Sequence, residues 1–284
     1  MSGPKPDALP LGDSPLYDLR SPKTHSNSTL TSYLMNLLKF AKGNGKLTDR
    51  LIFSIPAGYT CPYAGVCRTY ANRDTGKIMD HPSSDSKAAE YRCFAAMSEV
   101  RPNVRDARWY NYDLLREAMY TSEKTQDVAM GNLILSSLDK QPKKKLIRIH
   151  ESGDFWTENY LKAWINVANE LNDRIFYAYT KSLNSWLHLN KWIPKNLYLS
   201  ASYGGALDDL ITAYPKVFFR VAYVVYSEEE AKKRGLEIDH DDSHCLGDKS
   251  FALLVHGSQP AGSEASKAIS KRKKEGGFVG YSKK

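Results

Sequence analysis

Cys61 and Cys67 lie in one Pro- and Gly-rich stretch, PAGYTCPYAGVC, and Cys93 follows in YRCFAA. Thiolates are soft, polarisable donors that suit zinc and iron-sulfur clusters. The spacing C-x5-C-x25-C is neither a ferredoxin run nor a zinc-finger pair, which places about two to four residues between ligands. The three thiols are therefore read as ligands of an iron-sulfur cluster, of 4Fe-4S type, with zinc as the alternative. Cys245, 152 residues after Cys93 in IDHDDSHC, and the adjacent His244 are the candidates for a fourth ligand.

The elements that must position these thiols follow from apolar periodicity. Short, nearly all-apolar runs at 51–55, 145–150, 174–180, 196–202, 217–225 and 251–257 read as strands, each followed by helical sequence. Residues 157–171 form the clearest helix, with Tyr160, Leu161, Trp164, Ile165, Ala168 and Leu171 on its buried side. Helices are also expected at 183–191, from about 206, over SEEEAKKRG with a capping box of Ser227 and Glu230, and over SEASKAISKRKK. Leu30, Tyr33, Leu34, Leu37, Leu38 and Ala41 recur at helical spacing before Gly43 and Gly45, and residues 85–138 read as helical throughout. Alternating strands and helices with apolar strands imply a parallel sheet covered by helices. The expected fold is α/β: a six-unit (βα)6 partial TIM-like barrel with an N-terminal arm and a helical insertion after the first strand. A doubly wound sheet is the alternative. The arm spans residues 1–27, the barrel domain 28–266 and a basic tail 267–284.

Polar residues gather at the carboxyl ends of these strands, where parallel α/β folds bind ligands. Asp154, Tyr179, Lys181 and His256 are the candidate catalytic side chains. Ser152, Gly153, Asp154, Ser202, Gly257 and Gln259 are the candidate cofactor contacts. If three cysteines bind, one iron stays open and the chemistry is redox or radical. Two other classes compete. A zinc-stabilised nucleic-acid-binding module without catalysis would contact phosphates through Lys143, Lys144, Lys145, Lys271, Arg272, Lys273 and Lys274. A divalent-metal hydrolase or nuclease would use His150, Asp154, Asp241 and Asp242.

The segments SIPAGYTCPYAGVC, YRCFAA, RIHESGDFW, FYAYTKS, LSASYGG, EIDHDDSH and FALLVHGSQPAGS, in this order over roughly residues 50–280, resemble the phage and bacterial gene product 88 family. More distantly, the chain resembles the radical S-adenosylmethionine enzymes. That resemblance implies a six-unit partial barrel, cluster cysteines in the loop after the first strand, and a Gly-Gly-Glu-like motif after the second strand that binds the cofactor's methionine amine. Cys61 and Cys67 occupy that loop here, and Ser152-Gly153-Asp154 the second position. The chain departs from the radical enzymes' C-x3-C-x2-C run: Ala71 stands where a further cysteine is expected, and Cys93 supplies the third thiolate.

Composition bounds these readings. With 284 residues, 42% hydrophobic and 25% charged, the chain is of ordinary globular make-up, which excludes wholesale disorder. Its apolar runs are far short of the roughly 20 residues that span a bilayer, and MSGPKPDALPLGDSP has no secretory core. A cytoplasmic location is expected, in the host cell if the chain is phage-encoded. The net charge of +8 is concentrated: seven basic residues and one acid between Lys267 and Lys284 supply six of the eight charges. Any nucleic-acid contact is therefore expected through that tail.

Overall fold

A computed structural model of the chain describes residues 36–45, 47–80, 90–121, 125–277 and 279. All that follows concerns the unit Leu37–Lys284; the expected arm at 1–27 lies outside the described residues. Strands form where the apolar runs lie: β1 (Arg50–Ile52), β4 (Leu146–Arg148), β5 (Ile175–Thr180), β6 (Leu197–Ser202), β7 (Val221–Val225) and β8 (Phe251–Leu254). They make one six-stranded sheet in the order β1-β4-β5-β6-β7-β8, with every neighbouring pair parallel. This order decides against a doubly wound sheet. Parallel crossovers are right-handed, so connections that always step the same way leave their helices on one face, whereas a doubly wound sheet needs a reversal. The sheet curls into a half-barrel.

The convex face carries the main core. Leu51, Phe53, Ile147, Ile149, Phe176, Ala178, Leu199 and Ala201 meet α2 (Gln126–Asp139), α3 (Glu158–Glu170) and α4 (Leu183–Leu189) through Met130, Ile134, Leu161, Trp164 and Trp186. α3 starts where Thr157 accepts the Tyr160 N–H, and its apolar stripe explains why this helix was the most legible. The concave face holds Tyr177, Tyr179, Tyr198, Ala222 and Phe251 around Cys245. Both sheet edges are covered: Ala41 bridges Ile52 in antiparallel fashion and Ile238 bridges Ala252.

Two expectations require correction. In the helix placed at 30–41, residues 30–35 lie outside the described set, but residues 36–40 are not helical and Ala41 pairs with the edge of β1. The apolar positions there serve the sheet edge, and Leu38 is buried in the main core. The stretch 85–138 is not one helical region. Within it, Tyr91–Cys93 is irregular, Ala96–Val100 is a 3-10 turn, and α1 (Pro102–Tyr120) is separated from α2. The insertion after β1 also contains an unforeseen hairpin, β2 (Thr69–Ala71) with β3 (Ile78–Asp80). Its turn is closed by Asn72, whose side-chain oxygen accepts the N–H groups of Asp74 and Thr75.

The remaining helices are short or peripheral. α5 (Asp209–Ala213) has five residues, α6 (Glu228–Lys233) six. α6 starts at the cap the sequence announced, with Ser227 Oγ accepting the Glu230 N–H at 3.1 Å, but the Glu230 carboxylate accepts the N–H of Tyr226, one residue before the cap, at 2.8 Å. Ser227→Ala should therefore lower stability by about 1 kcal/mol, measured by urea unfolding; a variant as stable as the parent would show that the cap contributes nothing. The boundary drawn at residue 266 falls inside α7 (Glu264–Lys274), which is anchored by buried Ala265 and by Arg272 donating to the Val255 carbonyl. No helix among the described residues is long and apolar enough to cross a membrane.

Candidate functional site

The loop that leaves β1 folds back over the carboxyl ends of the strands because glycines let backbone meet backbone. Gly58 turns at φ +76, and Cys61 N–H bonds its carbonyl. Further on, Ala64 pairs with Gly205, Val66 N–H bonds the Gly204 carbonyl, and Ala206 N–H bonds the Tyr63 carbonyl. A Cβ on Gly65 would stand 2.4 Å from the Gly204 oxygen, so no larger residue fits this crossing. The Cys93 segment joins through the Glu90 N–H on the Val66 carbonyl. The result brings Cys61, Cys67 and Cys93 together at the rim of the half-barrel. Burial pushes the Cys61 thiol well up, and the neighbouring Asp154, Cys93 and Cys67 push it further. Burial raises the Cys93 thiol to about 11, with Cys67 adding to the shift. As free thiols Cys61 and Cys93 are protonated, and a metal would have to displace those protons.

Beneath the thiols lies a residue that the sequence did not single out. Glu99 is fully buried, and its Oε1 accepts three bonds from three segments: Ala57 N–H at 2.9 Å, Arg108 Nη1 at 2.8 Å and Ser152 Oγ at 3.2 Å. It thus ties the cysteine loop, α1 and the loop after β4 to the turn that follows Cys93. Gly153, at φ +87, brings that last loop close; a Cβ there would stand 2.3 Å from Ile55 Cγ1 and 2.6 Å from Thr60 Oγ1.

Asp154 is buried, and both of its oxygens are engaged. Oδ1 accepts Thr180 Oγ1 at 2.6 Å and the Phe155 N–H at 2.7 Å, and Oδ2 accepts the Lys181 N–H at 2.8 Å. It therefore locks the end of β5 against the loop after β4, a positioning role. The Lys181 ammonium reaches across to the carbonyls of Ser202 and Tyr203, at 2.8 and 2.7 Å. Ser202 enters the site through that carbonyl.

The other candidates divide between the rim and the concave face. His256 stacks on Phe94, next to Cys93, with centroids 4.0 Å apart. Gln259 accepts the Arg92 N–H and donates to the His256 carbonyl, and Gly257 turns the chain at φ +75. These residues brace the Cys93 segment against the last strand. Tyr179, in contrast, points into the concave face, where its hydroxyl meets Asp242 at 3.2 Å. Asp242 also accepts from Tyr177 and Arg148, which makes it an anchor for the segment plugging the half-barrel. Cys245 is fully buried there beside Tyr179 and Asp242, among none of the other cysteines, and His244 lies against Glu237 and Asp239. The structure thus separates the proposed fourth ligands from the three thiols. His150, proposed for hydrolysis, is buried against Phe155 and Tyr160.

Among the described residues, no group of three or more His, Cys, Asp or Glu side chains is set tightly enough to hold a single metal ion. A surface cleft of about 470 Å³ lies away from the thiols, between the hairpin and α1; in it Arg73 covers the Trp109 ring at 4.3 Å and pairs with Asp113.

The chain matches the family described as Gene product 88 over residues 27–275. It belongs to the Gene product 88 family. Among curated relatives, the Gene 88 protein of Mycobacterium phage D29 is 35% identical over 112 residues, which is 38% of this chain and 47% of the relative. The Gene 88 protein of Mycobacterium phage L5 is 33% identical over the same share. The chain thus spans about half the length of the curated relatives it matches. No solved structure matches it. Membership of the Gene product 88 family establishes kinship; the reading of the site rests on its own chemistry.

Proposed function

We propose that this Gene product 88 protein binds an iron-sulfur cluster through Cys61, Cys67 and Cys93 and uses it for redox or radical chemistry at the rim of the half-barrel. The observation that carries this reading is the convergence of three thiols, from a loop and a segment 26 positions further on, beside Asp154 and Lys181.

A bound cluster supplies one-electron chemistry. The chain's own residues supply the frame: Glu99 and Gly153 seat the cysteine loop, and Asp154 orders the end of β5. On this reading, the likeness to radical S-adenosylmethionine enzymes lies in the thiols after the first strand. Asp154, at the position of the cofactor-amine motif, serves in this chain to hold the end of β5 against the loop after β4. The reading places the protein in the cytoplasm, of the host where it is phage-encoded. The nucleic-acid alternative is weaker, because Tyr226, in the groove beside Lys267 and Lys271 of α7, is surrounded by Glu90, Glu230 and Glu264.

Anaerobically purified protein should be brown, absorb near ~400 nm as cluster thiolates do, and contain iron and sulfide. Cys61→Ser, Cys67→Ser and Cys93→Ser should each abolish most of that content, while Cys245→Ser should retain it. A colourless protein with stoichiometric zinc, or equal loss in all four variants, would overturn the assignment.

A further inference from the structure

Cys93 reaches the other two thiols from a stretch without regular structure, so side chains have to set its position. Its sulfur faces the start of the 3-10 turn that follows, where it accepts the N–H groups of Ala95 and Ala96. One residue earlier, Arg92 is held from two directions. Its N–H donates to Gln259 Oε1 at 2.7 Å, and Gln259 Nε2 donates to the His256 carbonyl at 2.9 Å, which fixes that amide to the turn after β8. Its guanidinium grips Asp80 at the end of β3: Nη2 donates to Oδ2 at 2.7 Å, and Nε is shared between Oδ1 and Oδ2 at 3.0 and 3.1 Å.

The register of the hairpin gives that grip its meaning. Asp80 pairs with Thr69 across β2 and β3, and the Thr69 N–H bonds the Cys67 carbonyl at 2.8 Å. A short path therefore runs from Cys67 through the pair of Thr69 and Asp80 to Arg92 and Cys93. The hairpin is fixed at its other end, where buried Arg105 of α1 donates Nε–H to the Arg73 carbonyl at 2.8 Å. The Arg92 and Asp80 side chains are 23% and 33% exposed, and a pair in that much solvent adds little to global stability. What its fork geometry does fix is direction and distance.

We propose that Asp80 and Gln259 are positioning residues of the thiol site: acting through Arg92, they set Cys93 at its working separation from Cys67 and Cys61 and so govern how firmly the site retains what it binds. The claim on retention rests on the reading of the three thiols as one set of ligands. The positioning itself is a property of the metal-free chain, so the two are tested apart.

In metal-free full-length chain, the rates at which iodoacetamide alkylates Cys93 and Cys61 are read peptide by peptide by mass spectrometry. Asp80→Ala, Arg92→Met and Gln259→Met should each raise the Cys93 rate about threefold or more, the opening expected when a partly exposed contact is lost, and leave the Cys61 rate near that of the parent. Asp80→Ala combined with Arg92→Met should match Arg92→Met alone, because the carboxylate acts through that guanidinium. A freed positive charge that merely favoured the Cys93 thiolate would speed Asp80→Ala and not Arg92→Met. Equal acceleration of Cys61 and Cys93, an unchanged Arg92→Met, or additive effects in the double variant would each overturn the proposal. Should one variant not fold, the other two decide. In protein loaded with iron and sulfide, or with zinc, the same variants should lose metal to a chelator about threefold faster than the parent; equal rates would overturn the claim on retention. A parent that takes up neither metal would overturn the reading of the thiols as ligands, and retention with it, while the alkylation rates still decide the positioning.

Discussion

Glu99→Ala should destabilise the protein by about 3–5 kcal/mol, a large part of the roughly 5–15 kcal/mol that holds a domain together. Arg108 is the reason for the size. Its side chain is 5% exposed, and Glu99 is its close anionic partner at 2.8 Å, with Glu151 at 3.8 Å. Removing the carboxylate strands that guanidinium in a dry site and leaves the Ala57 N–H and the Ser152 hydroxyl without their acceptor. Burial raises the Glu99 pKa while Arg108 opposes the rise. Glu99→Gln separates shape from charge: an amide oxygen can still accept the three donors but carries no charge to pair with Arg108, so it should lose less than alanine. The check is urea unfolding together with thiol titration of the native state. Cys61 and Cys93 should react faster with a thiol reagent in Glu99→Ala than in a control variant of equal stability, because the loop they stand on loses its tie. A loss below about 1 kcal/mol would mean that the three segments are held by their backbone bonds alone.

The second large effect is a fall of stability with acid, traced to His150. Burial, assisted by the Arg148 charge, drives its imidazole down to about 3, from 6.5 in the unfolded chain. The folded protein therefore keeps His150 neutral where the unfolded chain takes up a proton. The stability is fully present above about pH 6.5 and is lost progressively as pH falls toward 3. Each pH unit inside that window costs up to about 1.4 kcal/mol, so moving from pH 7 to pH 5 should cost about 2 kcal/mol through this residue. His150→Gln removes the titration. Unfolding free energies of parent and variant should therefore converge, or cross, on acidification; curves that stay parallel from pH 7 to pH 5 would exclude His150 as the acid-sensitive group.

The elements that the sequence revealed are those whose identity is written locally. Each of the six parallel strands is an apolar run bounded by turn residues, and α3 has an unbroken stripe from Tyr160 to Ala168. Where pattern and burial parted, so did expectation and structure. Leu37, Leu38 and Ala41 keep helical spacing, yet this segment follows the edge of β1, because an open sheet edge offers hydrogen bonds that an isolated helix turn does not. The hairpin of β2 and β3 escaped notice because its strands have three residues each, too short for a period to show, though Asn72 and Gly76 at its turn were a usable signal.

At the site, residue types were legible and relations were not. Cysteines in a Pro- and Gly-rich loop announce that the loop is special, and polar strand ends announce a rim. Which polar residues face which side is set by the two-residue alternation of the strand and by the curl of the sheet. That alternation sends Tyr177 and Tyr179 to the concave face, where a 3-10 turn brings Cys245, whereas Lys181 lies just past the end of β5. Glu99 carries no motif, since a hub that joins residues 57, 108 and 152 exists only once the chain has closed on itself.

The sequence by itself determined the parallel half-barrel, the family and the three thiols as a group, because strand runs, capping residues and cysteine spacing act over a few neighbours in the chain. Only the tertiary structure decided that Cys245 and His244 stand elsewhere, that Asp154 is a brace between the end of β5 and the loop after β4, and that Glu99 is a hub for three segments. Those outcomes depend on burial and on the count of hydrogen-bond partners across contacts of up to 167 positions in the chain, and neither quantity is a property of any local stretch of residues.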